Sequence, residues 1–373
     1  MKVRINYRLL ALIVILTALA IREAAVEIRP SYLRPGLHLF AYVANTSDGT
    51  LSAIDLIKLA TATTIPVGGE PTAVRAHPTR KEIWGLSSSN GYTWILDAGS
   101  NQVMARIPVG SIPSALDFSP DGKRAYVAAS GSNSVFAIDC ATRQVFGRAK
   151  VGRRPWFVRS SPDGALVVVS NHDDATVSLL DAATLATRAM ISVAPQPEQI
   201  AVLPDSTKAF VSSGANDQVS VIDLRRGVFL ANLALDGKPD ALLLKPDGGE
   251  LYIPSATAHG LLIVNTQTDE VGDFVRLGMS PTAATLDAAT QTLYVSDSAT
   301  GNVIPVAIDA RRAGSPILAG QAPHEAQLTP GGDMLVVVDP ASDQIALIRA
   351  KTSSLITMIP TGSHPRDLAI KMF

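Results

Sequence analysis

The 373-residue sequence has a single cysteine, Cys140, and that scarcity removes several chemistries at once. One thiol cannot make an internal disulfide, a Cys-x-x-Cys zinc site or a Cys-x-x-Cys-His haem attachment. An excess of either charge is also missing. The 32 Lys and Arg nearly balance 33 Asp and Glu, giving a formal net charge of −1 and no basic footprint for nucleic acid. The sequence has no Gly-Lys-Thr phosphate loop, Gly-x-Ser-x-Gly elbow or His-Glu-x-x-His pair, so catalysis has no positive signature. After residue 38 no stretch keeps a 3.6-residue apolar period, which excludes a helical body. What is present is 47% apolar residues, too many for a disordered chain and enough for a large core.

The start of the chain reads separately from the rest. Lys2, Arg4 and Arg8 precede Leu9 to Ile21, a run that is apolar except for Thr17. As a helix this run spans about 20 Å, short of a roughly 30 Å bilayer core. With the small pair Ala18-x-Ala20, residues 1–21 match a secretory signal cleaved near Ala20, and a short uncleaved anchor is the alternative. Residues 22–38 read as a linker and 39–373 as the folded domain, expected to be periplasmic or extracellular. Cys140 is expected to behave as a small buried hydrophobe. No membrane contact is expected beyond the N-terminal segment.

Proline keeps time in the remainder. Pro71, Pro113, Pro155, Pro197, Pro239, Pro281, Pro323 and Pro365 recur every 42 residues without a slip. Tyr42, Trp84, Tyr126, Val168, Phe210, Tyr252, Tyr294 and Val336 hold the same interval, and so do Asp55, Asp97, Asp139, Asp181 and Asp223 before Asn265. In the unit beginning at Pro113, short apolar runs alternate with turns such as Ser119-Pro120-Asp121-Gly122, where proline presets φ and glycine accepts the left-handed conformation. Four strands of about five to seven residues per unit leave only hairpin-sized loops, the spacing of an antiparallel meander. Such a sheet cannot bury both faces alone, so copies must stack.

The sequence therefore predicts an all-β fold, a β-propeller of four-stranded antiparallel blades. Seven complete units begin at Pro71 through Pro323. The leftovers, Leu39 to Glu70 and Pro365 to Phe373, sum to an eighth blade closed by pairing of Asp367–Lys371 with the strand near Tyr42. Seven blades is the alternative. Val127, Phe136, Ile138, Val167 and Val169 should fill interblade layers, with Trp84, Trp94 and Trp156 read as packing. The Asp column should accept backbone N–H groups in turns.

Tyr42-Val43-Ala44-Asn45, Ala125-Tyr126-Val127, Val109-Gly110-x-x-Pro113, Ser119-Pro120-Asp121-Gly122 and Val221-Ile222-Asp223 together resemble the YVTN β-propeller repeat. The resemblance covers residues 39 to 373 and implies an exported surface-layer or periplasmic propeller. Related propellers include eight-bladed d1-haem domains, lactonases of phosphorylated sugars, and amine or alcohol dehydrogenases. It implies chemistry only weakly, because one fold hosts many functions.

Loops on a rigid scaffold carry function, so the variable residue after each column proline marks the candidate site. These positions include Trp156, Glu198, Asp240, His324 and Arg366, with Arg153, Arg154, Lys238, Glu325 and His364 as neighbours. The expectation is a mixed-charge mouth on the central channel that binds a small anionic ligand or a protein partner, with Arg153, Arg154 and Arg366 as anion contacts. Asn171-His172-Asp173-Asp174 supplies metal-type ligands, but neighbours on one loop do not converge readily on one ion, and no metal is assigned. His172, His324 and His364 are the candidate axial ligands if the chain handles d1-type haem or does redox chemistry. A lactonase-like hydrolase is the remaining enzymatic option, and a cell-envelope scaffold the structural one. A monomer is expected.

Overall fold

The computed structural model describes residues 36–373. The expected signal segment and most of the linker lie outside the described residues. Eight antiparallel sheets follow one another along the chain, seven of four strands and one with an extra short strand. The first blade takes three strands from Leu39–Pro66, and its innermost strand is Pro365–Met372 from the other end of the chain. That strand pairs with Leu39–Asn45 in antiparallel register, with Leu39 opposite Met372 and Tyr42 opposite Ala369. Blades two to eight then occupy Pro71–Pro108, Pro113–Lys150, Pro155–Ser192, Pro197–Ala234, Leu243–Arg276, Pro281–Leu318 and Ala326–Pro360. The propeller has eight blades and is closed by its own tail.

Strand alternation explains why the blades stack. In the strand Leu39–Asn45, Tyr42 and Ala44 pack with Trp94 and Ile83 of the second blade, while Leu39, Ala41 and Val43 pack with Val336 and Val338 of the eighth. Successive side chains point to opposite faces, so each apolar strand feeds two interfaces. Every neighbouring pair of blades shares one such cluster, including the pair that joins the end of the chain to its beginning. Val127 and Ile138 lie between blades two and three, with Phe136 partly buried beside them, and Val167 and Val169 lie between three and four. Trp84 and Trp94 are fully buried. Cys140 is buried too, and the loss of solvent pushes its thiol up to about 12.

The Asp column forms turns. Asp139 Oδ1 accepts from the Ala141 and Thr142 amides at 2.9 and 2.7 Å, and Asn265 makes the same pair of bonds to Gln267 and Thr268. An amide oxygen serves as well as a carboxylate here, which is why the column tolerates Asn. The tyrosine column ties blades together. Tyr42, Tyr126 and Tyr294 donate to the carbonyls of Ala98, Ala182 and Ala350, each in the corresponding turn of the next blade.

No helix among the described residues is long and apolar enough to cross a membrane.

Candidate functional site

The innermost strands line the central channel, and two of them are cut short. In the sixth and eighth blades they are reduced to Leu243–Leu244 and Ala326–Leu328, against six to eight residues elsewhere. Asp240 and His324 therefore sit just ahead of a ladder that has not yet begun. Each is held by single backbone bonds: the Asp240 amide donates to Pro254 and the His324 amide to Val338.

Two cavities meet there. The outer one, of about 560 Å3, is lined by Ser298, Ala322, His324, Pro340, Ala341, His364 and Arg366. Its polar groups come from three blades: Ser298 from the seventh, His324 from the eighth, and His364 and Arg366 from the end of the returning loop and the first blade's innermost strand. His364 has a left-handed backbone (φ 54°), and its amide donates to Asp343 Oδ1 at 2.7 Å. The inner cavity, of about 300 Å3, is bounded by Arg75, Phe157, Gln199, Asp240, Thr282, His324 and Glu325, with Ala241, Ala283 and Ala284 leaving it room. His324 belongs to both walls.

The electrostatics of the channel follow from its enclosure. The walls deprive His324 of bulk solvent while leaving its ring open to the cavities, and the Arg366 guanidinium adds to this; both hold the imidazole below its usual value, toward the neutral form. Asp240 is raised by burial, against the pull of an Ala256 amide that donates to Oδ2 at 2.6 Å. Glu325 is pushed up to about 7 by burial and then by Asp367, with Arg75 opposing. Arg75 itself is committed: its Nη1 lies 2.7 Å from Asp367 Oδ2 and also donates to the Val74 carbonyl. Arg159 stands 3.6 Å from Asp117 further round the wall.

The sequence-derived residues thus separate into groups. His324, His364 and Arg366 share the outer cavity, and Asp240 reaches the inner one beside His324. Arg153, Arg154 and Trp156 do not line either cavity. On the fourth blade Trp156 stacks with the Arg154 guanidinium, 5.3 Å from its ring, and with His172, 5.6 Å from it on centroids. Arg153 pairs with Asp174, Arg154 with Asp173, and His172 Nδ1 lies 2.8 Å from Asp173 Oδ1. That hydrogen bond from His172, then Arg154, holds Asp173 below the usual carboxylate range. These side chains satisfy one another, and among the described residues no three His, Cys, Asp or Glu side chains gather as a metal site. Glu198 packs against Gly214, whose Cα leaves no space for a Cβ beside the carboxylate. Glu325, a neighbour named from the sequence, lines the inner cavity, whereas Arg75, Gln199 and Asp367 were not singled out from the sequence. They lie two to four residues past the column proline, and only the phase of the inner strand reveals that they face the channel.

A family model described as YNCE-like beta-propeller matches residues 31–291. Among curated proteins, no sequence matches the chain. Among solved structures, dihydro-heme d1 dehydrogenase NirN in complex with DHE is similar, with a TM-score of 0.73 and 15% identity over 88% of this chain and 74% of that one. Hydrazine synthase of Kuenenia stuttgartiensis is also similar, with a TM-score of 0.60 and 18% identity over 75% of this chain and 95% of that one. At these identities the likeness is one of fold.

Proposed function

This chain belongs to the YNCE-like β-propeller family, and from that premise we propose that it is an exported binding protein whose channel mouth takes a small molecule carrying a carboxylate or similar anionic group. One observation carries the reading: His324, His364 and Arg366 converge on a single cavity of about 560 Å3. That volume suits a small ligand. Arg366 has no ion-pair partner among the described residues, so its guanidinium is available for a bidentate contact with an anion. The basic and then apolar start of the sequence supports the exported location.

The test is calorimetric titration of the purified chain with a panel of small carboxylates such as glutarate and citrate. Arg366→Ala and His364→Ala should each lose about tenfold or more in affinity, the range of a charge-assisted hydrogen bond. Arg153→Ala should bind as the parent does, because that arginine is already paired with Asp174. Equal binding by the parent and Arg366→Ala would reject the assigned mouth.

The likeness to a structure that holds a d1-haem compound favours a second reading, in which the anionic ligand is a tetrapyrrole with acid side chains. The donor set fits that group. His324, kept toward the neutral form that ligates iron, or His364 would serve as the axial ligand, and Arg366 would hold a ring carboxylate. Bound in this way, the group would supply redox chemistry. Titration with d1-type haem should then give a shifted visible band that His324→Ala or His364→Ala removes. An unshifted spectrum would reject this reading and leave the first intact.

A further inference from the structure

The two cavities that meet at His324 carry unpaired charge of opposite sign. Arg366 at the mouth has no carboxylate within 4 Å among the described residues, as set out above. In the inner cavity the reverse holds. Asp240 and Glu325 have no Lys or Arg within ion-pair distance among the described residues, since Arg75 is taken by Asp367. The Gln199 amide is spent at both ends, accepting from the Leu242 amide at 3.1 Å and donating to the Asp240 carbonyl at 3.3 Å. Thr282 lines the same wall, with its hydroxyl oxygen buried behind the surface. One Asp240 oxygen accepts from the Ala256 amide, and among the described residues the other Asp240 oxygen and both Glu325 oxygens have no donor on the protein.

We infer that the ligand of this channel is zwitterionic, with its anionic end at Arg366 in the mouth and an ammonium end in the inner cavity lined by Asp240, Glu325 and Thr282. The inference rests on the mouth reading above and adds the second charge. Two carboxyl groups removed from water without a counter-charge are costly to ionise, and an ammonium ion placed between them removes that cost. It brings three donors, which the unfilled oxygens of the two carboxylates are able to accept. The Phe157 ring and the alanines of the inner wall give the methylene chain between the charges an apolar flank. His324, held toward neutrality, sits where the two halves of the ligand join and adds no net charge to either.

The test compares three probes of similar length on the full chain: ε-aminocaproate, the diacid glutarate and the diamine cadaverine. Calorimetry is run with the parent, Arg366→Ala and the isosteric pair Asp240→Asn and Glu325→Gln, each checked for parental circular dichroism. The expected result is that ε-aminocaproate binds tightest. Its advantage over glutarate, about tenfold or more, disappears in the double isostere, and its advantage over cadaverine disappears in Arg366→Ala. If glutarate binds as tightly as the amino acid and the isosteres change nothing, the zwitterion is overturned while the anion-binding mouth stands. If cadaverine alone binds, both the zwitterion and the mouth reading fall. If no probe binds, both are likewise overturned.

Discussion

Arg75 Nη1 lies 2.7 Å from Asp367 Oδ2, which joins the innermost strand of the second blade to the last strand of the chain across 292 residues of sequence. The same Asp367 oxygen accepts from the Val74 amide at 2.9 Å. Asp117 and Gln199 accept from the Ser160 and Leu242 amides of the next blade in the same manner. Asp367→Ala leaves a partly exposed guanidinium and a backbone N–H without their acceptor. It should cost about 1 to 3 kcal/mol, measured by urea denaturation. Arg75→Ala removes only one of the two donors and should cost less. A double mutant no worse than Asp367→Ala would show that the two side chains act as one unit.

Closure by the tail has a second consequence. The strand Pro365–Met372 supplies the entire inner edge of the first blade, and Leu368 completes the cluster between blades eight and one. A chain ending at Gly362 leaves the edge of Leu39–Asn45 open, with the unpaired N–H and C=O row that templates association. Light scattering and denaturation should show loss of a cooperative transition and gain of aggregates. A monomeric, cooperatively folding truncation would mean that the ring holds without its clasp.

The architecture was legible because a propeller repeats one solution to one problem. The 42-residue spacing of proline, the aromatic column and the Asp column each encode a local event, respectively strand entry, interblade contact and an Asx turn. The leftover segments at the two ends named the closing blade. The site was legible in part, since the residue after the column proline does place Asp240, His324 and Arg366 at the channel. It misleads at Arg153, Arg154 and Trp156, because the loop carrying His172, Asp173 and Asp174 lies against them and satisfies their charge and their ring. Neighbours across a turn are not readable from a column. Arg75 and Asp367 stayed hidden for a related reason. Their importance comes from meeting each other between neighbouring blades, 292 positions apart in sequence, and no local pattern records that.

The tyrosine column gives a graded prediction. The Tyr126 hydroxyl donates to the Ala182 carbonyl at 2.9 Å, and Tyr294 does the same with Ala350 at 3.0 Å. Each Tyr→Phe change keeps the ring and deletes one interblade hydrogen bond, so each should cost about 1 kcal/mol. Tyr252 differs, because its hydroxyl donates to the Glu250 carboxylate at 2.7 Å, and that carboxylate also holds Arg311 of the next blade. Tyr252→Phe should therefore cost more than Tyr126→Phe. Thermal denaturation of the three single variants under one buffer decides the order.

Glu325 should make stability depend on pH in an unusual direction. Its carboxyl, ordinarily at 4.5, stands at about 7 in the folded chain, raised by burial and by Asp367 against the pull of Arg75. The folded state consequently holds a proton that the unfolded state has released across that interval, and stability falls as pH rises through it. Asp240, also raised, adds the same sign at lower pH. Glu325→Gln removes the Glu325 part of the loss. Denaturation at about pH 5 and about pH 8 should show the variant gaining on the parent as pH rises. Parallel behaviour at both values would refute the assignment of this carboxyl.

Three ion pairs occupy equivalent places, each between one blade and the next, and one of them runs backwards. Glu82 meets Arg143 at 3.2 Å and Glu250 meets Arg311, with the acid on the second strand of one blade and the base on the turn of the next. Lys208 and Asp269, 2.8 Å apart, reverse the order over the same separation of 61 residues. The turn residue has a left-handed backbone in all three, with φ of 57° at Arg143, 50° at Arg311 and 58° at Asp269. A long basic side chain is thus demonstrably tolerated there. Lys208→Glu alone sets a carboxylate against Asp269 in a half-buried contact and should cost about 1 to 2 kcal/mol. Adding Asp269→Arg recreates the pairing found at the sister positions and should recover most of that loss. Because the pair lies on the outer part of the blades, away from both channel cavities, ligand binding by the double variant should match the parent. A double variant as unstable as the single would mean that the blade interface, and not the charge, selected lysine at this position.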